Sequence, residues 1–164
     1  MIKNAVALVT WHASSLGRVT VEHLAKQGAR VVMTDLGSSK SNEIAKELGD
    51  NVVFVPVNIT FEKDVTTALE TANDIFGPLN LVVNCDGTTT GYCCWYDFAN
   101  CRHVSTQDIP ALPEKVHTFS TKTIPFPQSL GEPSEYAHLV QAIYENPLMN
   151  RETIRIDGGL RIQT

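Results

Sequence analysis

The chain has 164 residues, 43% hydrophobic and 19% charged, which suits one globular domain and argues against wholesale disorder. Its 13 basic and 18 acidic residues leave a net charge of −5, which argues against direct nucleic-acid binding as its main business. The longest apolar run, Ala5 to Val9, is far too short to cross a bilayer, and Lys3 is the one basic residue near the start, so a soluble chain with no evident targeting peptide is expected.

In chain order, Ala5 to Val9 reads as a strand buried on both faces. A helical stripe follows through Leu16, Val19, Leu24 and Ala25, closing at Gly28. Ala29 to Thr34 predicts a second strand, ending at Asp35, and Ser41 to Leu48 a helix stopped by Gly49. Val52 to Val57 is a third strand. Thr60 is placed as the cap of a helix with the stripe Val65, Ala68, Leu69, Ala72, Ile75 and Phe76, and Gly77-Pro78 ends it. Leu79 to Val83 completes a fourth strand.

After Gly87 the periodicity fails, and Thr88 to Pro110 matches neither helix nor strand. A short helix over Pro113 to Thr121 and a proline-rich loop at Ile124 to Pro127 precede a clear amphipathic helix, Pro133 to Glu145, with the stripe Tyr136, Leu139, Val140 and Ile143. Thr153 to Asp157 reads as a last strand, stopped by Gly158-Gly159. The chain thus divides into a first half, 1–87, an irregular connection, 88–111, and a C-terminal segment, 112–164, within one domain. Alternating strands and helices predict an α/β fold with a doubly wound parallel sheet.

Cys85, Cys93, Cys94 and Cys101 are expected as reduced thiols, because a chain of this length buries its own core without a disulfide framework. Cys93, Cys94, Cys101 and His103 lack the Cys-x-x-Cys spacing of a zinc knuckle, so no metal site is assigned. His12, His23, His117 and His138 show no partner pattern and read as surface or helix-face residues. Lys115 and Lys122 read as solvated helix charges.

In such folds the first strand-to-helix turn binds a pyrophosphate on backbone N–H groups, and glycines let the chain approach it. Here that turn is Thr10-Trp-His-Ala-Ser-Ser-Leu-Gly17, with one glycine. Asp35 is the better signal: a carboxylate ending the second strand accepts both ribose hydroxyls of an adenosine and repels the extra phosphate of NADP, so it points to NAD.

Thr10 to Gly17, Asn84-Cys-Asp-Gly87, Leu130 to Ala137 and Ile154-Arg-Ile-Asp-Gly-Gly159 together resemble the short-chain dehydrogenase/reductase family. The resemblance covers most of residues 4–87 and 112–164. Within the family the C-terminal segment is most similar to the mitochondrial branch acting on 3-hydroxyacyl-CoA and hydroxysteroid substrates. It implies a Rossmann-like sheet, an NAD-dependent oxidoreductase ancestry and a mitochondrial location. It also implies NAD contacts at Ser14, Leu16 and Gly17 in the first turn, at Asp35 on the ribose, at Asn58 and Ile59 near the adenine, and at Cys85 after strand four. Trp11 and Ser15 stand in place of family glycines, Asn58 in place of an aspartate and Asp86 in place of an alanine. An indole against the phosphate and an added negative charge both weaken dinucleotide binding.

Hydride transfer in the family resembles acid–base catalysis by a tyrosine with a lysine four residues on, whose cation favours the phenolate. Tyr92, Tyr96, Tyr136 and Tyr144 are followed at that spacing by Tyr96, Asn100, Val140 and Leu148. No catalytic residue is assigned. The segment between Gly87 and Leu112 is shorter than the roughly 30 residues of one βαβ unit, so two family strands, the catalytic serine and the tyrosine helix have no room. The expected fold is therefore a truncated Rossmann-like sheet lacking two strands, with Thr153 to Asp157 either docked on strand four or unpaired. The expected function is an impaired or inactive relative of these dehydrogenases with weak NAD binding and a doubtful small-molecule substrate. The alternative is a non-catalytic interaction protein that contacts further copies of itself, dehydrogenase subunits or the RNA-processing partners of that branch.

Overall fold

The computed structural model describes residues 1–10, 15–37, 39–85, 102–105, 125–126, 129, 131–149, 154 and 156. Five strands form one parallel sheet: β1 (Val6–Thr10), β2 (Arg30–Asp35), β3 (Val52–Pro56), β4 (Leu81–Asn84) and β5 (Arg102–Ser105), in the order β3-β2-β1-β4-β5. Four helices flank it: α1 (Ser15–Lys26), α2 (Ser39–Leu48), α3 (Glu62–Phe76) and α4 (Pro133–Glu145). This is the expected Rossmann-like α/β fold.

The continuous apolar strands follow from burial on both faces. On one face Val9, Val31, Met33 and Val83 pack with Val21 and Leu24 of α1, Ala45 of α2 and Tyr136 and Val140 of α4. On the other, Val6, Leu8, Val32 and Val82 pack with Ala68, Ala72 and Phe76 of α3. Three helices therefore cover one face and α3 the other. Ile75, expected in the α3 stripe, is 52% exposed, because it falls at the flank of that narrow apolar face.

Helix ends are set locally. Gly28 takes φ +85 after α1, a left-handed conformation that costs glycine little, and its N–H donates to Ala25 O at 2.9 Å. Gly77 does the same after α3, at φ +90. Pro133 opens α4, and the Glu135 carboxylate accepts the Glu132 N–H at 2.7 Å. Thr60 is not the cap of α3. Its N–H and hydroxyl both donate to Asn58 Oδ1, at 3.1 and 2.7 Å, and the helix begins after Phe61.

Two further readings change at the C-terminal side of the sheet. Within the stretch expected to be irregular, Arg102–Ser105 forms β5 and pairs parallel with β4, Leu81 opposite Arg102 through Asn84 opposite Ser105. The place beside β4 is thus taken. Ile154 and Ile156, from the expected last strand, lie in no strand and are 40% and 54% exposed. The short helix expected over Pro113 to Thr121 lies outside the described residues.

Candidate functional site

Parallel strands deliver their C-terminal ends to one edge, and the register aligns them: Thr10 lies opposite both Thr34 and Asn84, Asp35 opposite Pro56, and Asn84 opposite Ser105. The strand order reverses between β1 and β4, the sheet growing to one side through β2 and β3 and to the other through β4 and β5, and the crevice outside such a switch point is where open α/β sheets take ligands. The Thr10 hydroxyl donates to Asn84 Oδ1 at 3.2 Å, tying the two strand ends together there.

Beside this crevice a cavity of about 180 Å³ is lined by Thr34, Asp35, Leu36, Val57, Asn58, Ile59 and Thr60. It arises where β2 and β3 both end and their following loops splay apart. Three expected site residues, Asp35, Asn58 and Ile59, meet in it. The backbone holds Asp35 firmly: its carbonyl accepts the Val57 N–H at 2.9 Å, and its Oδ1 accepts the Leu36 N–H at 2.7 Å. Asn58 is placed from the other side, its N–H donating to Asp64 Oδ2 of α3 at 3.1 Å and its side-chain oxygen accepting from Thr60. The half-buried carboxylate of Asp35 thus borders a slot with apolar walls, Leu36 being 53% exposed beside it. That combination suits a flat heteroaromatic ring joined to a vicinal diol.

The other expected residues sit apart from this slot. Leu16 is half-buried in the first turn of α1 and packs on the core, and Gly17 is buried next to it. The α1 N-terminus is the helix end that follows β1, where orphan N–H groups and the helix dipole favour an anion. Ser14 lies outside the described residues. Cys85, immediately after β4, is wholly buried in the core with Tyr136 of α4. Its thiol lies beside the buried Tyr136 hydroxyl and offers it only a weak partner; burial, and then the adjacent Cys85, raise that phenol well above its ordinary range.

Sequence reading missed Thr34, Leu36, Val57 and Thr60 as cavity residues. The usable signal was Leu36 itself, a large apolar residue directly after the strand-end carboxylate. Among the described residues no group of three or more histidine, cysteine or acidic side chains is arranged to hold a metal, and no helix is long and apolar enough to cross a membrane.

Comparison with known proteins places this geometry. Residues 5–111 match the family model of the short chain dehydrogenases. The chain is 44% identical to the 3-hydroxyacyl-CoA dehydrogenase type-2 of Drosophila melanogaster over 253 aligned positions, covering 99% of each, and 30% identical to the human protein of that name, covering 99% of this chain and 97% of the relative. An alignment of 253 positions against 164 residues leaves a long stretch of the relatives with no counterpart here. A crystal structure of 3-hydroxyacyl-CoA dehydrogenase type-2 from Mycobacterium avium superposes with a TM-score of 0.80, covering 98% of this chain and 97% of that one; at 22% identity it speaks for the fold. The 3-ketoacyl-(acyl-carrier-protein) reductase of Brucella melitensis complexed with NADH is 34% identical over 53% of this chain and 36% of its own, with a TM-score of 0.51.

Proposed function

Because the chain belongs to the short-chain dehydrogenase family, we propose that it binds NAD(H) through the slot at the ends of β2 and β3 and has lost most or all of the oxidoreductase activity of a 3-hydroxyacyl-CoA or hydroxysteroid dehydrogenase. The observation that carries the binding half of this reading is the Asp35 carboxylate, held by the Leu36 N–H while the Val57 N–H holds the Asp35 main-chain carbonyl, bordering a slot walled by Leu36 and Ile59. In it Asp35 accepts the adenosine ribose hydroxyls, while Asn58 and Ile59 flank the adenine. Leu16 and Gly17 at the start of α1, with Ser14 before them, offer backbone N–H groups to the pyrophosphate, and the backbone at Cys85 faces the far half of the dinucleotide. Asp35 also selects against NADP, whose added phosphate meets a carboxylate.

When bound, NAD supplies a hydride acceptor. The chain's own side chains do not supply the proton chemistry that goes with it, since none of its four tyrosines has a lysine four residues on. Trp11 and Asp86, standing where the family has glycine and alanine, weaken affinity by bulk and by charge. A missing segment between Gly87 and Leu112 accounts for both the long unmatched stretch of the relatives and the absent catalytic residues. By the same likeness we place the protein in mitochondria.

Titrating the purified chain with NADH and NADPH, and assaying NAD-dependent turnover of a 3-hydroxyacyl-CoA, tests the reading. Weak saturable binding of NADH, weaker binding of NADPH and no turnover are expected. Turnover that survives removal of host reductases would overturn the catalytic half, and no response at millimolar NADH the binding half. The absent acid–base pair favours a second reading, an interaction protein that pairs with further copies of itself or with dehydrogenase subunits. Size-exclusion chromatography with and without such subunits distinguishes it.

A further inference from the structure

Asn58 lines the slot together with Asp35, and the loop around it engages all but one of its polar groups. Its main-chain N–H donates to Asp64 Oδ2 at 3.1 Å, and its main-chain carbonyl accepts the Phe61 N–H at 2.9 Å. Its side-chain oxygen accepts twice, from the Thr60 N–H at 3.1 Å and from the Thr60 hydroxyl at 2.7 Å. A main-chain N–H can only donate, so the amide cannot be turned end for end without setting N–H groups against each other. A carbonyl oxygen has two lone pairs, and here both are taken. The Nδ2 amino group is the polar group of Asn58 that no described residue engages.

A slot residue in this state meets a ligand as a hydrogen-bond donor and not as an acceptor. An unengaged asparagine reads adenine with both ends of its amide, the oxygen accepting from the 6-amino group and the nitrogen donating to N7. Here the accepting end is closed. An adenine 6-amino group turned toward Asn58 sets donor against donor and goes unpaired beside a half-buried residue. A 6-oxo purine, hypoxanthine or guanine, presents O6 and N7 side by side as acceptors on the same edge. Building on the reading of this slot as a dinucleotide site, we propose that Asn58 is a specificity-determining residue that favours a purine with an oxo group at position 6 over adenine. Thr60 acts through it as a positioning residue, fixing which end of the amide is left for the ring. Asp35 serves either nucleotide alike, since the ribose is the same in both.

The test is titration of the full chain with NADH and with reduced nicotinamide hypoxanthine dinucleotide, each followed by the fluorescence of the dihydronicotinamide they share. The hypoxanthine form is expected to bind roughly three- to tenfold more tightly, the effect of about one hydrogen bond. Asn58→Asp keeps an oxygen for Thr60 and turns the unengaged end into an acceptor, so the preference should reverse in favour of NADH. Thr60→Val, at an exposed position, removes the hydroxyl and frees one lone pair of Asn58 Oδ1, so the preference should shrink toward parity. Each ratio is taken within one protein, so any loss of folded material cancels. Equal affinities in the unaltered chain, tighter binding of NADH there, or a preference that survives either substitution undiminished overturns the proposal and leaves the slot a dinucleotide site. Binding of neither nucleotide overturns the proposal together with the reading on which it rests.

Discussion

The side-chain oxygen of Asn80 accepts a hydrogen bond from the Tyr144 hydroxyl at 3.3 Å, joining the residue before β4 to the last turn of α4. The same oxygen accepts the Val6 N–H at 2.9 Å, and the Asn80 N–H donates to Val6 O at 3.0 Å. One amide thus fastens the entry of β4, the start of β1 and the C-terminal helix. Asn80→Ala leaves the Val6 N–H without its acceptor and should cost about 1–3 kcal/mol in urea unfolding. Tyr144→Phe, which removes one donor and leaves the strand bond intact, should cost about 1 kcal/mol or less. Equal losses in the two variants would contradict this ranking.

Tyr136 gives the opposite expectation. The residue is 6% exposed in the core, and its buried hydroxyl has no partner better than the weak Cys85 thiol. Tyr136→Phe removes a poorly satisfied buried polar atom and keeps the packing, so stability should stay within about 1 kcal/mol or rise. Tyr136→Ala leaves a cavity and should cost about 3–5 kcal/mol. Chemical denaturation of both variants, at constant slope, checks the pair.

Asp35 carries the specificity claim. If it binds the ribose hydroxyls, Asp35→Ala should weaken NADH binding about tenfold, close to 1.4 kcal/mol. NADPH binding should fall less, or improve, because the repulsion of its phosphate goes with the carboxylate. Calorimetric titration of both nucleotides reads the ratio. An unchanged ratio would remove Asp35 from the site.

Gly28 tests the backbone. At φ +85 an L side chain is strained, and an added Cβ would stand 3.4 Å from Lys3 Cγ. Gly28→Ala should therefore cost about 1–2 kcal/mol, measurable as a lowered unfolding midpoint.

Amide hydrogen exchange distinguishes the two segments that compete for the edge of β4. Pairing with β4 should slow exchange in β5, while Ile154 and Ile156, outside any strand and partly exposed, should exchange fast. Protection in the reverse order would move the edge strand to Thr153–Asp157.

Much of the molecule was readable because its forces are local. β1 to β4, α1 to α3 and α4 each carry an apolar run or stripe that has one good burial, and Gly28, Gly77 and Pro133 punctuate them by backbone geometry alone. Asp35 was readable for the same reason, as a carboxylate at a strand end. β5 was not: Arg102–Ser105 has a single apolar side chain, Val104, and its pairing rests on the backbone edge that β4 offers. Thr60 misled because Asn58, two residues earlier, captures both its N–H and its hydroxyl.

Sequence alone determined the alternating layers, the strand-end carboxylate and the lack of any tyrosine with a lysine four residues on, since each depends on residue type and short spacing. Only the tertiary structure decided which strand borders β4, that Leu36 and Ile59 wall one slot with Asp35, and that His23 meets His138. Those relations link residues remote along the chain, and they exist only after the sheet order and helix packing bring the residues within a few ångströms of each other.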